Sequence, residues 1–174
     1  MFNHAPKEYD CPFCRVVKGH DLEAPYTKQS DVVYRDSWVT AFICARWWEN
    51  NSGHVLIIPN QHVENLYDLP SALSTKIHDL ERKVAIAFKY AYACDGTSSR
   101  QHNEPSGSQE VWHYHLHVFP RYREDDLYRS SHRMVPAEER LPYAEKLKAY
   151  FDDNLASFDL VPKEDVRAGT DRTN

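Results

Sequence analysis

The chain has 174 residues, enough for one domain spanning 1–174 that buries roughly 70% of its unfolded surface without disulfide staples. Its formal net charge of −5 and isoelectric point near 6.0 exclude general attraction to a nucleic-acid backbone, which makes any phosphate site local and suits a small-molecule substrate. No run approaches the roughly 18 apolar residues of a membrane span. Residues Met1 to Glu8 lack a basic-then-apolar leader, so the chain reads as soluble and cytoplasmic, with four cysteines predicted to ligate metal or lie buried.

In chain order the first signal is Cys11-Pro12-Phe13-Cys14, a knuckle that sets two thiolates on a tight turn as half of a tetrahedral zinc site. With no second C-x2-C in the chain, histidines must complete it, and by spacing His4, His20, His54, His62 and His113 all qualify. Asp31 to Arg35 and Trp38 to Ile43 read as strands joined by a turn at Asp36-Ser37, and His54 to Ile58 as a third strand closed by Pro59. After Pro70 the stripe Leu73, Ile77, Leu80, Val84, Ala87 and Ala91 recurs every three or four residues, predicting a long amphipathic helix from Ser71 to about Cys94 that covers one sheet face. Gly96 to Glu110 is polar and turn-rich and is expected to be a loop. Cys44 and Cys94 read as small buried residues. Beyond Arg121 the pattern predicts a helix at 137–151 and a flexible tail over about 160–174. No internal repeat is found. The elements predict an α+β domain, a mainly antiparallel sheet with the long helix on one face.

The most informative stretch is Trp112-His113-Tyr114-His115-Leu116-His117-Val118-Phe119-Pro120. Strict alternation of histidine with large apolar residues is the pattern of a half-buried strand, so three imidazoles share one face while Trp112, Tyr114, Leu116 and Val118 pack into the core. At about 3.3 Å per residue the outer two histidines lie roughly 13 Å apart. One ion therefore does not easily bind all three, and separate roles are favoured.

The run His113-Tyr-His115-Leu-His117-Val-Phe resembles the signature of the histidine triad family. The likeness extends to Asp31–Ile43, to Gly53-His54-Val55-Leu56-Ile57-Ile58-Pro59 with His62, to Asn103 and to Gly107-Ser108-Gln109, covering about residues 10–122 in the family's order. The resemblance implies a nucleotidyl hydrolase or transferase that attacks the α-phosphorus of a nucleoside phosphate derivative through a nucleotidylated histidine. It assigns the nucleophile to His115, phosphate contacts to His117 and His54, and a hydrogen bond near the bridging atom to Gln109. Asn103, Gly107 and Ser108 would bind substrate, with backbone N–H groups of the Gly107-Ser108 turn stabilising charge. In relatives carrying the knuckle, the implied ligands of a structural zinc are Cys11, Cys14, His62 and His113. The family also implies a homodimer, with the long helix and an edge strand near its two-fold axis.

This chain departs from the family pattern in two places. It carries two extra residues between Phe42 and His54, and neither register offers the acid or amide that normally grips the ribose: one gives Cys44, the other Arg46. Glu49, Asn50 or Asn51 would have to substitute, while Trp47 and Trp48 would stack a base or close the core. Glu110 also replaces the Ser or Thr often found three positions before the triad. Two other classes remain open: a nucleotide-binding regulatory module without turnover, and a metal-dependent hydrolase using an i, i+2 histidine pair.

Overall fold

A computed structural model describes residues 2–158. The expected tail at 160–174 lies outside the described residues. Five strands form one antiparallel sheet in the order β1-β2-β4-β6-β5: β1 (Val32–Arg35), β2 (Val39–Ile43), β4 (Val55–Pro59), β5 (Gly96–Gln101) and β6 (Leu116–Arg121). β3 (Arg46–Trp48) and β7 (His132–Met134) pair with each other in a second, two-stranded sheet. The helices are α1 (Pro12–Val17), α2 (Ser71–Ala91) and α3 (Ala137–Asn154). None is long and apolar enough to cross a membrane. The α+β class is as the sequence implies.

Sequence chemistry accounts for the main joints. Asp36 Oδ1 accepts from the amides of Trp38 and Val39, so the β1–β2 turn is held by its own carboxylate. The apolar stripe of α2 is buried through Leu73, Ile77, Leu80, Val84, Ala87 and Phe88 against Ala41, Ile43, Val55, Ile57, Leu116 and Val118. The helix stops at Ala91, short of the expected Cys94, because Ala93 takes a positive φ of 53° that no helix contains. α3 adds Ala144, Leu147 and Phe151 to the same layer. It is anchored by the fully buried Arg140, which donates to both Asp31 oxygens (2.9 and 2.7 Å) and to the carbonyls of Pro25, Tyr26 and Val135.

The other sheet face buries Phe42, Cys44, Leu56 and Ile58 beneath Cys11, Phe13, Val16 and Leu22 from the N-terminal segment. That face carries the histidines, so α1 and its flanks form their wall.

Four expectations need correction. Gly96–Gln101 is a strand, not part of a loop; none of its six residues is fully buried, and among the described residues it is an edge strand paired with β6 alone. The histidine ladder begins at Leu116; residues 112–115 run outside it, and Tyr114 N donates to Val63 O at 2.6 Å. Trp112 is only half-buried, its ring 5.7 Å from that of His4, while Tyr114, Leu116 and Val118 do enter the core. β3 and β7 arise from segments in which no strand was expected.

Candidate active site and metal centre

Register builds the site. Phe42 faces Leu56, Leu56 faces His117 and His117 faces Arg100, so one row crosses β2, β4, β6 and β5 on the face opposite α2. A cavity of about 370 Å³ opens over this row, lined among others by Phe13, Tyr26, Cys44, Arg46, Trp48, Arg100, His102, Ser108, Glu110, His115 and His117. Its size falls in the range of small-ligand sites.

His115 is buried, and its Nδ1 lies 2.7 Å from His113 O. A carbonyl accepts only, so Nδ1 carries the proton and the lone pair is on Nε2. Phe13 sets its ring edge-on at 5.4 Å and keeps the imidazole from turning. Burial lowers the His115 pKa, which keeps the ring neutral and its lone pair free.

His117 Nδ1 is 3.3 Å from His54 Nε2. His54 is fully buried, and its Nδ1 is without a hydrogen-bond partner among the described residues. A bare acceptor costs less than a bare donor. The network therefore assigns the His54 proton to Nε2, where it donates to His117 Nδ1. His117 then carries its own proton on Nε2. Desolvation pulls His54 down to about 3 and His117 well below 6.5, with the charge of Arg100 acting in the same direction on both.

Several expected contacts lie elsewhere. His54 does not line the cavity; it stacks on Phe119 (4.5 Å) behind His117 and orients it. Both polar atoms of the Gln109 side chain are used within the protein: Nε2 donates to Glu64 O (2.6 Å) and Val111 O (3.0 Å), and Oε1 accepts from Glu104 N (2.9 Å). Asn103 ties β5's end to the 64–68 segment through Leu66 N (2.8 Å) and Gln101. The amides of Gly107, Ser108 and Gln109 donate to Glu104 O, Pro105 O and Glu104 O, so the turn is closed on itself and points no free N–H at the cavity. Ser108, at φ 66°, remains on the cavity wall.

The substitutes considered for the ribose contact are also committed. Asn51 is buried and donates to Pro120 O and Asp125, Asn50 donates to Asp125 O, and Glu49 faces Ser131 on a separate cavity. Sequence reasoning missed His102, Arg100 and His132. The polarity of Gly96–Gln101 hid the first two, which flank the histidine row once that segment is seen as a strand. His102 Nδ1 meets Gly107 O at 2.7 Å.

The metal ligand set assembles at the N-terminal end of the histidine segment. Cys11 caps α1, Cys14 lies in its first turn, His62 follows β4 and His113 precedes β6. Their donor atoms all lie within 4.8 Å of one another, with Sγ–Nδ1 distances of 3.3 Å (Cys11–His113), 3.3 Å (Cys14–His62) and 3.6 Å (Cys14–His113). Tetrahedral zinc with bonds of about 2.3 Å to sulfur and about 2.0 Å to nitrogen separates such atoms by roughly 3.5 Å, so the set fits. His113 Nε2 donates to Pro59 O at 2.9 Å, which fixes the tautomer and leaves Nδ1 free to ligate. Burial pushes the Cys11 thiol up to about 12, a cost that a bound cation would reverse.

The HIT domain family model matches residues 26–124. The chain belongs to the HIT family. It is 32% identical to Protein hit of Bacillus subtilis over 67% of this chain and 74% of that protein. It is 30% identical to the adenosine 5′-monophosphoramidase of Saccharomyces cerevisiae over 67% of each. Among solved structures it is similar to a zinc-bound histidine triad family protein from Mycobacterium smegmatis, with TM-score 0.69 and 25% identity over 85% of this chain and 97% of that one. Members of the HIT family act as nucleotide hydrolases.

Proposed function

We propose that this HIT protein is a nucleotidyl hydrolase or transferase that cleaves a nucleoside 5′-phosphate derivative through a nucleotidylated His115. The observation that carries the reading is the His115 Nδ1–His113 O hydrogen bond, which puts the Nε2 lone pair on the cavity wall without a separate base. Nε2 attacks the α-phosphorus, an N–P bond forms, and the bond to the leaving group breaks with its electron pair going to that group; a phosphate leaves as the anion, and an amine also takes up one proton from solvent. Donation from His113 O's partner, Nδ1–H, to the carbonyl disperses the positive charge on the ring. Water then attacks phosphorus, the N–P electrons return to Nε2, and one water proton is released. His117 Nε2–H, aligned by His54, donates to a non-bridging oxygen throughout. Gln109 and Asn103 act by holding the cavity's loop, and Ser108 by its position on the wall.

Zinc on Cys11, Cys14, His62 and His113 belongs to the same proposal. Four protein ligands leave no open position, so the metal's role is structural, holding α1 and Phe13 against the histidine segment.

Native mass spectrometry within seconds of mixing with adenosine 5′-phosphoramidate reads the intermediate and the number of chains together. The expected result is a transient adenylyl adduct on a homodimer in the wild type and no adduct in His115→Asn. Turnover without any adduct would overturn the nucleophile. Absence of both adduct and turnover would favour a nucleotide-binding module.

A further inference from the structure

Among the described residues Arg100 has no carboxylate partner. Its Nε is buried and has no hydrogen-bond partner. Among the described residues its guanidinium is held by two aromatic faces, with Cζ 4.3 Å from the Trp48 ring centroid and 4.8 Å from that of Phe119. Three other arginines near the sheet have carboxylate partners, Arg46 with Glu110, Arg121 with Asp125 and Arg140 with Asp31, and Arg35 on β1 donates to Val16 O and Gln29 Oε1. Among the described residues Glu110 is the only carboxylate on the cavity wall, and Arg46 occupies it at 2.8 Å. Arg100 sits directly across the ladder from His117 and shares the cavity with His115.

A partly buried guanidinium clamped by stacking, with its fork unused, is a preorganised anion receptor, since its desolvation and its rotamer ordering are already met by the fold. The cavity needs one. The turn amides that would neutralise phosphate charge are consumed within the turn, and His117 supplies one donor. The clamp also belongs to the β2–β4 connection, which forms β3 and brings Trp48 against His54 and Phe119 (5.5 and 5.4 Å).

We propose that Arg100 receives a second anionic group, the leaving phosphate of a nucleoside 5′-phosphoanhydride, and selects such anhydrides over substrates whose leaving group is a neutral amine. This rests on the proposed reaction at His115. The bond broken is then P–O of the anhydride, and the electron pair leaves on a phosphate oxygen whose added charge the guanidinium meets.

The test compares wild type, Arg100→Gln and Arg100→Lys on diadenosine triphosphate and on adenosine 5′-phosphoramidate. Loss of a charge-assisted fork predicts that kcat/KM on the anhydride falls about 10- to 100-fold in Arg100→Gln, at least tenfold more than on the phosphoramidate, with Arg100→Lys between. Equal losses on both substrates would mean that Arg100 merely props Trp48 and would overturn the proposal, as would an unchanged rate on the anhydride. A binding arm is independent of turnover. The non-hydrolysable adenosine 5′-(α,β-methylene)diphosphate should bind wild type at least about tenfold tighter than AMP, and this preference should vanish in Arg100→Gln. No preference in the wild type would overturn the proposal even if the His115 adduct forms. A preference that Arg100→Gln abolishes would sustain the receptor even if it does not.

Discussion

At the scale of single residues, the site depends on which imidazole nitrogen holds a proton, and burial enforces the answer. Burial disfavours the charged form of His54, and the nearby charge of Arg100 acts in the same direction. In the unfolded chain His54 takes a proton below its ordinary 6.5, whereas in the folded protein it resists until about 3. The unfolded state thus binds more protons between those values, so stability is unaffected above 6.5 and falls as pH drops through that window, at up to about 1.4 kcal/mol per pH unit for this residue. The expected outcome is a urea midpoint that declines from pH 6.5 to 4.5, and declines less steeply in His54→Asn. Parallel declines would reject the assignment. The histidine row itself was legible because alternation is a strand's own period. What Gln109 and Asn103 touch was not, since a loop residue's partners depend on how the chain closes on distant segments, as with Glu64, 45 positions from Gln109, and Leu66, 37 from Asn103.

At the scale of elements, α2 and the β1–β2 hairpin could be read from periodicity and turn chemistry, whereas β3, β5 and β7 could not. Short polar strands carry no apolar alternation; β5 is recognised only through its ladder with β6, and β3 only through β7, whose residues lie 84 or more positions later. The β2–β4 connection forms β3 and carries Glu49, Asn50 and Asn51 away from the cavity toward Ser131 and Asp125. The cavity wall beside β3 carries Cys44, Arg46 and a Glu110 already paired. A sugar hydroxyl bonded to a charged group contributes about 1.5–3 kcal/mol, so without one the kcat/KM preference for ribose over 2′-deoxyribose should stay within roughly tenfold. Paired assays of adenosine 5′-phosphoramidate and its 2′-deoxy analogue check this, and Glu49→Ala should leave the ratio where it was. A preference above about a hundredfold would mean that another group grips the sugar.

At the scale of the whole molecule, the two sheet faces have different support. The α2–α3 face is a continuous apolar core that folding alone can hold. The histidine face is closed by a six-residue helix and its flanks, a small cluster around Phe13 and Val16 that contributes less burial. The knuckle showed half of the device that compensates, and the fold supplies the rest by bringing His62 and His113 to Cys11 and Cys14 across 48 to 102 positions. Zinc there would cross-link the N-terminal segment to both β4 and β6, so its loss should loosen Phe13 from His115 before it melts the α2 face. Structural zinc in small peptides is worth an apparent ~10–16 kcal/mol, and the share here is smaller because the α2–α3 core supports the sheet from its other face. Protein purified without chelator or histidine tag should contain about one zinc per chain by elemental analysis. Cys14→Ser should lose the metal, lower the thermal midpoint and admit proteolysis near residues 12–17, while α2 amides stay protected from hydrogen exchange. Zinc well below one equivalent in the wild type, or a Cys14→Ser protein whose α2 exchanges as readily as α1, would show that the knuckle does not divide the molecule in this way.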